Sequence, residues 1–268
     1  MSLTVAVEGV GLWSPLLPGW QSSTAILRGE SEPAAAAATR PAPDLLAPNE
    51  RRRAPDSVLL ALEVAQQACA MAGRDPRDLP AIFASAWGDL TISDYLCATL
   101  ARTPQDLSPT KFHNSVHNAP AGYWAMATGC MASTTALSAG EHTFGAGLLE
   151  AALLAHSEST PVVFACYDVA ASGPLADVVP TRTGFGAAFV LAPPGGRPGA
   201  RLTLDLRRAA DSPALAPGRG LLQSAHSDNP ASHALPVLVA LAQDEPHECI
   251  VSAGPRAQLH LEISTWQK

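Results

Sequence analysis

The stretch SAGEHTFGAG, residues 138–147, joins a predicted strand to a predicted helix. Small and β-branched residues at 134–139 favour a buried strand, and the apolar spacing at 144–156 predicts an amphipathic helix. The chain has to turn sharply between them, and Glu141 occupies the corner. We therefore predict a strand-to-helix turn that presents a carboxylate at its exposed apex.

Short apolar strands and amphipathic helices alternate along the rest of the chain. Further strands are predicted at residues 3–7, 81–84, 162–166, 186–192, 202–206, 249–252 and 259–263. Further helices are predicted at residues 56–72, 91–100, 123–131 and 232–242. Because a helical crossover joins parallel strands, this order predicts an α/β fold whose parallel sheet is covered on both faces.

Glycine and proline interrupt the pattern at three places. Gly9 and Gly11 follow the first apolar run, so we expect a tight exit from that strand. Gly73 is placed to end the helix predicted before it. The segment PPGGRPGA, residues 193–200, breaks the alternation and predicts a boundary between residues 1–193 and 194–268.

The composition suits a well-buried protein, with 47% hydrophobic and 15% charged residues. The formal net charge is -7 and residues 51–53 are the only basic run, so no nucleic acid partner is expected. That run is either a solvated surface or a docking site for an acidic partner such as a carrier protein. Five cysteines without paired spacing predict reduced thiols and a cytoplasmic location. Neither a signal peptide nor a transmembrane segment is predicted.

Several residues near the turn have side chains that could carry chemistry. His113 and His117 have the spacing of a zinc-binding helix, but the following glutamate and a third ligand are missing, so no metal site is predicted. His142 could act as the base for Ser133 or Ser138 in a hydrolase, since a nucleophile and its base need only be close in space.

Glu141 has two open interpretations. It is either a charge that stabilises the start of the following helix, or a group that occupies a pocket as a hydrogen-bond acceptor or a plug. Cys130 precedes the predicted strand, and we expect it to be buried rather than nucleophilic.

Several stretches resemble the β-ketoacyl synthases of the thiolase fold. They are VAVEGVGLWSPL, RRRAPDSVLLALEVAQQACAMAG, AIFASAWGD, SPTKFHNSVHNAPAGYWAMATG and TTALSAGEHTFGAGLLEAALLA. The resemblance implies a thiolase-like layered α/β fold. Its N-terminal half, the β-ketoacyl synthase-like N-terminal domain at residues 1–193, is complete, and its C-terminal part at residues 194–268 is reduced.

The resemblance also places Glu141 where a condensing synthase has its acyl-accepting cysteine. A carboxylate cannot form the thioester on which condensation depends, whereas a thiolate forms it readily. The GTxTxxGD and GHxxGAAG stretches that carry the two histidines of the family do not occur after residue 200. We therefore expect no condensing activity, no cofactor and no metal.

A closer likeness links SPTKFHNSVHN and LSAGEHTFGAGLLEA to the chain length factors of aryl polyene biosynthesis. It implies a silent subunit that pairs with a full-length β-ketoacyl synthase, shapes its acyl tunnel, and meets the acyl carrier protein directly or indirectly. The candidate tunnel or interface residues are Phe112, His117, Asn118, Tyr123, Trp124, Thr134, Thr135, Glu141 and Phe144. A decarboxylase acting on malonyl groups attached to a carrier protein is an alternative.

Overall fold

The computed structural model describes residues 2–33, 40–209 and 221–266. The strands within these ranges are β1 Ser2–Trp13, β2 Ala81–Ala84, β3 Thr134–Leu137, β4 Val162–Asp168, β5 Phe185–Ala192, β6 Ala200–Arg208, β7 His247–Gly254 and β8 Ala257–Trp266. They form one mixed sheet in the order β3-β2-β4-β5-β1-β6-β8-β7. No helix in the same ranges is long and apolar enough to cross a membrane.

The α-helices of the described ranges are α1 Trp20–Leu27, α2 Pro48–Arg53, α3 Asp56–Ala72, α4 Leu90–Arg102, α5 Pro109–His113, α6 Ala119–Thr128, α7 Thr143–Ser157, α8 Leu221–His226 and α9 Leu235–Gln243. Helix α3 has the predicted bounds, and Gly73 ends it in the left-handed conformation with φ 59°. Helix α6 begins four residues before the predicted start. Pro120 lies in its first turn, where the missing N–H has no intrahelical partner to lose.

The prediction of an all-parallel sheet was wrong. Only β2 with β3 and β2 with β4 pair in parallel, and the other pairings are antiparallel. The chain passes through α4 to α6 between β2 and β3 and through α7 between β3 and β4, and these helical crossovers let the three strands run in parallel. Strands β4 and β5, and likewise β7 and β8, are joined without an α-helix, so each pair returns antiparallel.

The predicted exit from β1 at its glycines was also wrong, because the strand continues through Gly9 and Gly11 to Trp13. These glycines allow α3 to lie directly on the strand. A Cβ at Gly9 would be 2.1 Å from the Ala68 carbonyl oxygen, and one at Gly11 would be 1.9 Å from that of Val64. The pair therefore permits close helix-to-strand packing rather than a turn.

Helices cover both faces of the sheet, as predicted. Helices α3 and α6 pack on one face, around the buried rings of Phe83 and Trp124. Helices α1, α7 and α9 pack on the other face, where Phe144 and Phe164 lie. Helix α7 contacts β2 and β4 and also β7, which lies at the far end of the sheet order, so the sheet curls around this helix. The result is the layered α/β fold that the sequence predicts.

Strands β6, β7 and β8 extend the same sheet beyond residue 193. Along β6, Leu202 and Leu204 are buried and Thr203 between them is half-buried, so only one face of this strand meets the core. The Arg28 side chain at the end of α1 donates a hydrogen bond of 2.6 Å to the Ala242 carbonyl of α9. The chain on both sides of residue 193 thus shares one sheet and one core, and the boundary there remains a proposal.

Candidate functional site at the strand-to-helix turn

The loops that follow the three parallel strands meet at one edge of the sheet. Open α/β sheets bind ligands beyond the carboxyl ends of such strands. The loop after β2 contacts the loop after β3, because the Ser138 hydroxyl donates to the Ala86 carbonyl at 3.1 Å. We therefore take this edge as the candidate site.

The turn between β3 and α7 is fixed from below by Thr143. Gly140 has a left-handed φ of 58°, and a single 3-10 turn, Gly140–His142, leads into the helix. The fully buried Thr143 hydroxyl accepts from the Ala139 N–H at 3.0 Å and donates to the Gly140 carbonyl at 2.6 Å. Both backbone groups of the turn are therefore paired through one side chain.

Glu141 lies at the exposed apex of this turn, in the position that the sequence predicts. Residue 142, and not Glu141, occupies the N-cap position of α7, and no side-chain cap bond is formed there. None of the hydrogen bonds among the described residues engages the Glu141 carboxylate. The structure therefore does not support a capping role for Glu141.

Two histidines flank Glu141. The turn that carries His233 contacts the turn that carries Glu141. Burial lowers the pKa of His233, and the backbone and charge of Glu141 oppose the shift. His142 follows Glu141 in the chain, and its Nδ1 lies 2.7 Å from the Ser252 Oγ of β7. The C-terminal strand β7 and the 3-10 turn Pro230–Ala234 thus complete the site around the predicted carboxylate.

The Ser138–His142 pair proposed for a hydrolase is not formed. Ser138 donates to the Ala86 carbonyl, while His142 is hydrogen-bonded to Ser252 instead. Ser133 is exposed in the turn before β3, and its carbonyl accepts from the Ala81 N–H at 3.0 Å. The strand-to-helix turn directs Ser138 toward the β2 loop, and this direction separates it from the imidazole.

A buried carboxylate organises the loop after β2. Asp168, at the end of β4, accepts hydrogen bonds from the Ser85 hydroxyl at 2.7 Å and from the N–H groups of Ala86 and Trp87 at 3.2 and 3.1 Å. Burial raises the pKa of Asp168 to about 6, and these hydrogen bonds oppose the shift. Asp168 therefore fixes the conformation of the loop after β2, whose Ala86 carbonyl accepts the hydrogen bond from Ser138.

The predicted histidine pair plays no joint role in this structure. The Nε2 of His117 donates to the Ser85 carbonyl at 2.9 Å, which ties the segment before α6 to the same loop. His113 is exposed at the end of α5. Across the residues that the structure describes, no group of three histidine, cysteine or acidic residues is placed to hold a metal ion.

The predicted aromatic positions divide into core and surface residues. Trp124 and Phe144 are fully buried on opposite faces of the sheet, where Trp124 packs edge-on against Phe83. Neither side chain reaches the surface, so of the two predicted roles only that of a tunnel residue is kept as a proposal for them. Phe112 is exposed, and the half-buried Tyr123 donates its hydroxyl to Asn114 at 3.2 Å.

Strand β3 is an edge strand and not the buried strand that its composition predicts. Within the described residues it pairs with β2 alone, so its other edge has no partner strand there. Thr134 is half-buried and Thr135 is exposed, as is Asn118 at the start of α6. The small and β-branched residues therefore predicted the strand correctly. Its burial would need a second neighbouring strand, and none is found among the described residues.

Exposed apolar side chains occur along the chain segment that runs from α5 to the start of β3. Helix α6 contacts β3, α5 precedes α6 in the chain, and α5 contacts α4. We call the following four residues the edge patch: Phe112, 61% exposed, Val116, 51%, Met126, 71%, and Met131, 95%. Large exposed apolar patches mark sites of interaction on soluble proteins.

The comparisons with known proteins agree with this architecture. Residues 20–256 match the family described as beta-ketoacyl synthase, N-terminal domain. No curated protein matches the sequence. A solved structure of the ketosynthase ApeO in complex with its chain length factor ApeC from Xenorhabdus doucetiae is similar over 97% of this chain and 99% of that chain, with 22% identity and a TM-score of 0.71.

Two further solved structures have the same fold. The ishigamide ketosynthase/chain length factor gives a TM-score of 0.72 at 13% identity over 98% of this chain and 99% of that chain. The type II acyl-carrier protein complex AntDE:AntF gives 0.72 at 12% identity over 99% of this chain and 100% of that chain. With a family match that spans most of its length and a thiolase-like fold, the chain belongs to the β-ketoacyl synthase N-terminal domain family.

Proposed function

We propose that this chain is a non-catalytic ketosynthase-like subunit, a chain length factor, that pairs with an active β-ketoacyl synthase and shapes its acyl tunnel. The observation that carries the proposal is the carboxylate of Glu141 at the apex of the strand-to-helix turn. In the resemblance described above, this apex is the place of the acyl-accepting cysteine. A carboxylate at this position is compatible with the turn, but it stands in place of the sulfur atom to which a growing acyl chain would be attached.

Four of the five cysteines are buried or half-buried, and the fifth, Cys97, is exposed in α4. Cys166 is fully buried in β4, and burial raises its pKa well above the usual value. Cys130 is buried as predicted, and its thiol donates to the Leu79 carbonyl. Burial also raises the pKa of Cys69 and of Cys249 to about 12. Thiolates are therefore disfavoured at the three positions whose pKa is raised.

The open edge of β3 and the edge patch support a partner surface. An unpaired strand edge is a template for another chain, and proteins that keep one exposed usually cover it in their assembly. Three of the solved structures with this fold are described as ketosynthase complexes with a chain length factor or a carrier protein. We infer that a synthase covers this edge, and that the acyl carrier protein meets the pair through the synthase.

In this proposal the pair works in the cytoplasm on polyene or fatty-acid-like chains, with aryl polyenes as the specific product class. The five cysteines are all free in the structure, which is consistent with a reducing compartment. The product class rests on the resemblance of SPTKFHNSVHN and LSAGEHTFGAGLLEA alone.

Co-expression with a full-length β-ketoacyl synthase from the same source organism tests the pairing. We expect the two chains to copurify at low salt, and Met131→Glu to reduce recovery of the synthase at least about tenfold by placing a charge in the interface. Leu206→Glu is the matched control, because Leu206 is exposed on β6, away from β3 in the sheet order. Failure of the unaltered chains to copurify, or equal loss in both variants, would argue against pairing through the β3 edge.

A malonyl-carrier-protein decarboxylase is the second candidate, and one observation favours it. His142 and His233 both lie at Glu141, so the site holds two imidazoles beside a carboxylate although the histidine motifs of the family are absent. Release of carbon dioxide from malonyl carrier protein by the isolated chain, lost in Glu141→Ala, would support this activity. The same rate in the variant would exclude a role for Glu141.

A further inference from the structure

We propose that Ser252 and His142 form a nucleophile–base pair that cleaves acyl thioesters at the turn, an activity separate from pairing with a synthase. The Oγ of Ser252 and the Nδ1 of His142 are 2.7 Å apart, within the range in which a serine is activated by a neighbouring imidazole. Both residues are half-buried, so the pair is accessible without being fully solvated.

The proposed chemistry requires the Ser252 hydroxyl to donate its hydrogen bond to His142. The Ser252 hydroxyl has a second acceptor, the Gly254 carbonyl, at 3.5 Å, which is at the limit of a hydrogen bond. In the arrangement we propose, the shorter contact takes the hydroxyl proton, so that Ser252 donates to Nδ1 and the neutral imidazole carries its own proton on Nε2. In this tautomer Nδ1 has a free lone pair that can accept the proton of an attacking serine, whereas the Ser-His-Asp triads use Nε2 for this purpose.

The surroundings favour charge development at Ser252. Helix α7 begins at Thr143, directly after His142, so the positive end of its dipole lies beside the pair. A Cβ on Gly145, in the first turn of α7, would be 2.1 Å from the Ser252 carbonyl oxygen, which fixes β7 against this end of the helix. The position of Ser252 is thus set by backbone packing rather than by a mobile loop.

The reaction balances with these two residues and water. Ser252 Oγ attacks the thioester carbonyl, its proton passes to His142, the C–S bond breaks, and the imidazolium returns the proton to the leaving thiolate. Water then attacks the serine ester in the same way, and a free acid and a free thiol are released. Because no carboxylate is hydrogen-bonded to His142 among the described contacts, we expect slow turnover.

The expected substrates are short acyl thioesters that reach the turn, and the probe is a tagged fluorophosphonate applied to the purified full chain. We expect labelling at Ser252 by peptide mass spectrometry, with a loss of at least about tenfold in both Ser252→Ala and His142→Gln. Ser157→Ala is the matched control, because this serine is exposed at the end of α7 and bonds only the Leu154 carbonyl in the described contacts. Release of thiol from an acyl-N-acetylcysteamine should follow the same pattern.

Two readouts keep the test independent of the pairing proposal and of folding. Thermal unfolding followed by circular dichroism shows whether each variant is folded, and copurification with the synthase is measured in parallel. No labelling of the folded, unaltered chain at Ser252, or undiminished labelling in folded His142→Gln, would overturn the pair. Labelling at Ser138 in place of Ser252 would overturn it as well. None of these labelling results changes the expected copurification, which tests only the proposed pairing with a synthase.

Discussion

The carbonyl oxygen of Ser252 lies so close to Gly145 that a Cβ at residue 145 would be only 2.1 Å from it. This contact joins the C-terminal strand β7 to the start of α7, beside the turn that carries Glu141. It explains how a short C-terminal part still closes over the helix that follows the turn.

Replacing Gly145 by alanine should therefore destabilise the protein. The new methyl group meets backbone, which cannot rotate away, so β7 has to move off α7, and we expect a loss of about 1–3 kcal/mol in the free energy of unfolding. Urea unfolding measures it. Gly122→Ala in α6 is the matched control, because a Cβ there meets nothing within 4 Å and alanine is the better helix former. Equal destabilisation of the two variants would contradict the packing argument.

Replacing Thr143 by valine should loosen the turn itself. Valine keeps the shape of the side chain but leaves the Ala139 N–H and the Gly140 carbonyl without the partner that the hydroxyl provides. We expect a cost of about 1–3 kcal/mol in unfolding free energy. Thr135→Val, on the exposed side of β3, should change stability by less than about 0.5 kcal/mol. If Thr143→Val is equally neutral, the hydroxyl does not hold the turn.

Stability should also depend on the ionisation of Asp168. Burial raises the pKa of this carboxyl from 3.8 to about 6 in the folded chain, so its stabilising contribution is complete below the unfolded pKa and is lost as the pH rises through the folded pKa. The unaltered protein should therefore lose stability relative to Asp168→Asn between about pH 4 and pH 7, by at most about 3 kcal/mol.

The measurement is the difference in unfolding free energy between these two proteins at several pH values, because the difference cancels the titration of other groups. A difference that stays constant over this range would show that Asp168 titrates normally. A difference of the opposite slope would show that the hydrogen bonds from Ser85, Ala86 and Trp87 outweigh the burial.

Replacing Glu141 by cysteine should restore acyl acceptance without condensation. A thiol at the apex lies near the start of α7, where the helix dipole favours its thiolate. In a Cys97→Ser background, which removes the exposed cysteine of α4, we expect an acyl thioester to acylate the introduced thiol and no condensed product to form. Condensation by the Glu141→Cys variant would show that the missing histidine motifs are not needed.

The sequence predicted the local elements well where one segment decided the outcome. Helix α3 is an example, because its apolar stripe and Gly73 fix both its path and its end. The turn at Glu141 is another. The antiparallel half of the sheet and the contacts of His233 and Ser252 with the turn could not be predicted, since they depend on segments that are distant in the chain. The exposure of Thr135 was missed for the same reason, because only the strand order shows that β3 is an edge.

The central claim is that this chain shapes a cavity but does not itself condense acyl units. The most direct measurement uses the co-expressed pair in which the nucleophilic cysteine of the synthase is replaced by alanine and this chain is unaltered. We predict that the pair still copurifies and that condensed product is absent. Product formation by that pair would contradict the account.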